Sequence, residues 1–143
     1  MDTKKPVGFD IIQIITEQFA IINEYFNEDN EISFQPFLRF GVDKEKKIIA
    51  VLAKFHFLQK EIPFIIIEAS CHFLFHHESW KEFLSVEKDE IILPKEIAQN
   101  LSVITIGTVR GILHNKSENT NFNKMIIPLV NVFEILKEDI ILK

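Results

Sequence analysis

Three successive stretches of this chain alternate apolar and polar residues with a period of two, and this constrains the fold more than any other feature. In the first, Ile32, Phe34, Leu38, Phe40 and Val42 share one face, while Ser33, Gln35, Phe37 and Arg39 share the other. In the second, Ile49, Val51, Ala53, Phe55 and Phe57 oppose Lys54 and His56. In the third, Ile65, Ile67, Ala69, Cys71, Phe73 and Phe75 oppose Glu68, Ser70, His72 and His76. This is the signature of half-buried strands. Pro36 removes a ladder donor, which predicts an edge position or a bulge. Asp43 to Lys46 reads as a hairpin turn, and the link through Lys60, Glu61, Ile62 and Pro63 is equally short, so an antiparallel meander is expected. The opening segment, Phe9 to Phe26, fits helical spacing at Phe9, Ile12, Ile15, Phe19, Ile22 and Phe26. Its β-branched Ile pairs favour a strand instead. Assigned as a strand, it brings the sheet to four.

The second half changes period. After Pro94, suited to the first turn of a helix, Ile97, Leu101, Ile104, Thr105, Thr108 and Ile112 form one stripe, predicting a long helix over about 95–115. A short helix is expected over about 79–84, with Ser79 as N-cap and Glu82 completing a capping box. The tail from Phe133 is expected to do no more than cover an edge. With four glycines, five prolines and no flexible linker, the expectation is a single α+β domain over 1–143. It comprises a four-stranded antiparallel meander within about 9–76, the long helix packed on one face, and a short C-terminal segment over 126–143.

Composition narrows the function. The net charge of −5 gives no basic footprint for nucleic acid, since the lysines sit in mixed runs such as Asp43-Lys44-Glu45-Lys46-Lys47. No run approaches the length of a membrane helix. The charged start, Met1 to Pro6, lacks a signal-peptide core. The single cysteine cannot form an internal disulfide, so the cytoplasm is the expected location.

No residues group into catalytic or cofactor-binding grammar, and the expected reading is a non-enzyme without cofactor or metal. His72 and His76 tempt as zinc ligands beside Cys71. On a strand, four residues separate them by ~13 Å, too far for one metal. Cys71 falls on the apolar face as a small hydrophobe, and His72 points away from it. Contact surfaces are better marked. Phe37, Leu52, Phe64, Ile66 and Leu74 lie among charged residues on the sheet face opposite the helix. They form either a binding surface for polypeptide or a patch covered by a partner subunit or the chain's own tail. In the helix, each glycine costs ~1 kcal/mol relative to alanine. Val103, Gly107 and Gly111 therefore predict close packing, either on the sheet or on another helix across a subunit interface.

Two stretches carry a family resemblance: Ile106-Gly107-Thr108-Val109-Arg110-Gly111-Ile112-Leu113 and Ile127-Pro128-Leu129-Val130-Asn131-Val132. Together with the element order over roughly Ile11 to Val132, they resemble the SecB-like export chaperones, and more closely a divergent branch of that family. Arg110 sits at the family's basic position in the long helix. The second stretch stands where the family carries a Pro-Val-Asn loop. The resemblance implies an α+β subunit, assembly into a dimer or a dimer of dimers, and ATP-independent holding of unfolded polypeptides on apolar surface. Two departures are visible: Glu68-Ala69-Ser70-Cys71-His72-Phe73 replaces the family's Gly-Ile-Phe stretch, and the C-terminal helix is shortened. The alternatives are an interaction subunit dedicated to one protein partner, for example antitoxin-associated, and a carrier of a small apolar ligand.

Overall fold

The computed structural model describes residues 7–143; Met1 to Pro6, read above as a charged lead-in, lie outside the described residues. The fold is α+β. Strands β1 (Phe9–Ile21), β2 (Ser33–Asp43), β3 (Ile48–Gln59) and β4 (Ile62–Phe75) form an antiparallel sheet. Its spatial order is β1-β4-β3-β2. The three alternating stretches thus form the meander, and β1 joins beyond β4, not beside β2. The reason is the connection over 22–32, too long for a tight hairpin. It carries a 3-10 turn (Asn23–Tyr25) and crosses the end of the sheet. Gln59, almost fully buried, clamps it: its side chain accepts from Asn27 N (2.9 Å) and donates to the carbonyls of Asn27 (2.8 Å) and Asn30 (3.1 Å). Pro36 lies, as its missing donor requires, on the edge strand β2.

The β3–β4 hairpin turns on Lys60 (φ 50°) and Glu61 (φ 67°). Both lie in the left-handed region that two-residue hairpins demand and that side chains resist. Replacing the pair by Asn-Gly is expected to stabilise the protein by about 1–2 kcal/mol, read as a higher urea midpoint at unchanged m-value. An unchanged or lower midpoint would show that the turn carries no strain.

One register slip matters for the site. Phe57 pairs with Ile65 and Leu58 with Pro63, so Phe64 is an extra residue in β4. A bulge rotates its side chain out of strict alternation. Phe64 therefore points into the core, fully buried at 0% exposure, with its ring centroid 5.0 Å from Phe26 and 6.1 Å from Phe122. Its assignment to the outer face is corrected.

Helix α2 (Lys95–Lys116) covers one face of the sheet. Its buried residues are Ala98, Gln99, Leu101, Ser102, Thr105, Ile106, Val109 and Leu113, whereas Ile97, Ile104, Thr108 and Ile112 are only half-buried. The helix is thus rotated from the expected stripe: small Ala98, Ser102 and Thr105 face the sheet, and the larger isoleucines flank the contact. Between them and the sheet lie Val51, Ala53, Phe55, Ile67, Ala69 and Cys71, all fully buried.

A second, smaller sheet of β5 (Leu84–Ser85), β6 (Glu90–Leu93) and β7 (Ile140–Leu142) closes one end, with α1 (His77–Phe83) beside it. Trp80 and Phe83 of α1 pack on Phe75. The N-cap of α1 is His76, without a side-chain cap bond. Ser79 instead accepts from Gly8 N at 3.0 Å, which anchors the start of β1 and overturns the capping box. The tail does more than cover an edge. After α3 (Val132–Ile135), Leu136 and Leu142 enter the core, and Asp139 accepts from Lys95 N at 2.9 Å, capping α2.

Candidate functional site

With α2 on one side, the other face of the four-stranded sheet is left open among the described residues. Three rows cross it in register. Ile15, Ser70, Leu52 and Arg39 form the middle row; Gln18, Glu68, Lys54 and Phe37 form the next; Ala20, Ile66, His56 and Gln35 follow. Phe37 is 39% exposed, and Leu52, Ile66 and Leu74 are half-buried by their sheet neighbours alone. Ile48 and Leu58 on β3 share this face and are also half-buried. They belong to the same alternation as Leu52 and are readable from it.

Polar groups on the face are tied across strands. Arg39 Nη2 donates to Glu68 Oε2 at 3.0 Å, with the carboxylate nearly buried and the guanidinium largely in solvent. Lys54 faces Glu68 across the β3–β4 pair. Phe37, Leu38, Arg39, Lys54 and Glu68 line an open depression of about 400 Å³. A second, of about 330 Å³, includes Gln13, Val42, Asp43, Ile48 and His72. Both are open to solvent.

His56 stands edge-on to the Phe37 ring, centroids 5.1 Å apart. Burial, reinforced by the Lys54 ammonium, pushes its imidazole below the ordinary value of 6.5. The unfolded chain therefore binds the proton first as pH falls, so stability contributed by neutral His56 is present above about 6.5 and declines below it. Acidifying from about pH 7.5 to about pH 5.5 should lower the melting temperature of the native protein more than that of His56→Gln. Equal shifts would exclude His56 as the source.

The polar groups on and next to β4 that resemble reactive ones are bonded to neighbouring side chains. Ser70 Oγ donates to Glu17 Oε1 at 2.8 Å and lies 3.1 Å from His72 Nε2. A nucleophilic serine needs the histidine between itself and the carboxylate. Here the serine is in the middle and buried, so the chain of bonds joins β1 to β4. His76 Nε2 pairs with Asp10 at 3.3 Å. Cys71 is buried under α2.

The glycines of α2 do not meet the sheet. Val103, Gly107 and Gly111 are exposed; among the described residues a Cβ on Gly111 would touch nothing within 4 Å, and one on Gly107 only the Arg110 side chain at 3.9 Å. Packing against the sheet is thereby excluded, because the contact stripe lies on the opposite side of the helix. Arg110 reaches across to the loop after α2. Its Nε donates to the Ile127 carbonyl (2.7 Å) and its Nη2 to that of Pro128 (3.0 Å). These bonds pin the Pro-Leu-Val-Asn loop to α2, with Leu129 and Phe133 left 93% and 70% exposed. That exposed pair carries no periodic signal in the sequence.

No family model matches this sequence, and no curated protein matches it. Among solved structures the chain is similar to the Mycobacterium tuberculosis Rv1957 SecB-like chaperone, solved in complex with a ChAD peptide from the Rv1956 HigA1 antitoxin. The TM-score is 0.51 at 7% identity, covering 86% of this chain and 91% of that one. At that identity the likeness is one of fold: a SecB-like sheet and long helix.

Proposed function

We propose that this protein is a SecB-like holdase, which binds non-native polypeptides on apolar surface without ATP and performs no reaction of its own. The open sheet face carries the reading: Phe37, Leu52, Ile66 and Leu74 lie on a surface that nothing among the described residues covers, flanked by charges that keep it hydrated. Such a surface offers an extended chain apolar contact without a pocket that selects one ligand. The fold likeness to a SecB-like chaperone agrees with it. The test is suppression of aggregation of several unrelated denatured proteins, at stoichiometric ratio and without nucleotide. Failure with every client would end the holdase reading.

A second reading, an interaction subunit for one dedicated partner, is favoured by the neighbour's bound antitoxin peptide. It predicts that one protein co-purifies stoichiometrically while unrelated clients aggregate unprotected. The carrier of a small apolar ligand has weaker support, because the layer between α2 and the sheet is filled with buried side chains. The proposed setting is the cytoplasm, where the buried Cys71 thiol stays reduced.

Assembly is part of the proposal. Strand β1 ends the sheet with Ile11, Ile12 and Ile14 exposed along an open edge, a natural template for pairing with a second copy. The exposed Val103, Gly107 and Gly111 would let two α2 helices approach closely. Gly107→Leu is expected to reduce the mass in light scattering by one assembly step while melting stays near native. Among the described residues a Cβ at this position meets only the Arg110 side chain, at an ordinary 3.9 Å, so the fold should tolerate the change. An unchanged mass would remove glycine packing from the interface.

A further inference from the structure

We infer that the depression lined by Phe37, Arg39, Lys54 and Glu68 is a subsite for an acidic side chain of the polypeptide laid on this face. The inference rests on the reading of the face as a polypeptide-binding surface and adds a charge preference to it. Two cations and one carboxylate line the depression. The carboxylate is already engaged: Glu68 is 7% exposed and bonded by Arg39 at 3.0 Å. Lys54 is half-buried and, among the described residues, forms neither an ion pair nor a side-chain hydrogen bond. One positive charge is therefore unmatched in a partly desolvated position, where a pairing carboxylate gains more than at an open surface.

The neighbouring groups do not cancel it. From β1, Gln18 is the residue in register with Glu68, and the nearby Glu17 is turned to Ser70. Along β3, His56 is two residues on, held toward neutrality by burial and then by Lys54, with a buried Nε2 that has no partner among the described residues. Across on β2, Phe37 supplies an apolar wall. An aspartate or glutamate with an apolar neighbour in an extended segment would satisfy both the ammonium and the ring.

The test uses the full-length protein and short end-blocked Thr/Val/Phe peptides, fluorescently labelled, with a central aspartate, asparagine or lysine. The aspartate peptide should bind about tenfold more tightly than the asparagine one at low salt, and salt should shrink the gap. Lys54→Met, which keeps the apolar stem, should erase the gap, and Lys54→Arg should preserve it, with circular dichroism verifying that both fold. Equal binding by all three peptides, weakened in common by Leu52→Gln, would overturn the acidic subsite and leave the polypeptide-binding face standing. Tightest binding by the lysine peptide would likewise overturn the subsite. No binding by any of the three would overturn both.

Discussion

Phe64→Ala is expected to destabilise the protein by about 3–5 kcal/mol, a large share of the roughly 5–15 kcal/mol that holds a domain of ordinary stability folded. The ring is wholly buried and meets Phe26, Phe57 and Phe122. Those rings come from the crossover connection, β3 and the segment after α2, so its removal opens a cavity where three separate pieces of chain converge. The Phe64 carbonyl also accepts from Ile22 N at 2.8 Å, which places the ring beside the start of the crossover. Phe37→Ala, on a ring 39% exposed at the sheet surface, should cost less than about 1 kcal/mol. Urea denaturation of the two variants separates core from face. Near-equal, small losses would mean that Phe64 lies on the surface after all and that the bulge is not populated.

That contrast shows where the sequence was legible and where it was not. Alternation in β2, β3 and most of β4 is a local property of the backbone, and every second residue from Ile49 to Phe57 and from Ile65 to Phe75 is buried on the helix side as the spacing requires. The bulge at Phe64 is set by how β4 registers against β3, and one strand read by itself carries no trace of it. The same holds for the place of β1 beside β4, chosen by the length of a crossover and by Gln59 clamping it. In α2, periodicity located the helix, but weighting the large isoleucines rotated its face, because Ala98, Ser102 and Thr105 allow the closer approach. Ser79 followed a local capping rule and was claimed instead by a long-range bond to Gly8. For the candidate surface, the polar face was readable from alternation, while Leu129 and Phe133 stand out only because Arg110 fixes the loop that bears them.

On the proposed holdase function, Leu52→Asp is expected to lower client affinity, and with it the suppression of aggregation, by at least about tenfold, the effect of losing a central apolar anchor. Leu52 lies mid-face, in register with Ser70 on one side and Arg39 on the other. A carboxylate there would sit within the apolar stretch a client must cover, and any bound chain would have to desolvate it. The fold should tolerate the change: the residue is half-exposed, its side chain points away from α2, and Arg39 is a neighbouring counter-charge. Near-native melting with lost protection is the outcome that assigns holding to the sheet face. Full protection by a folded Leu52→Asp would sink that assignment and shift holding to the other exposed apolar surface, the loop and α3. Leu129→Asp would then become the deciding variant, because Leu129 is 93% exposed and contributes little to the core.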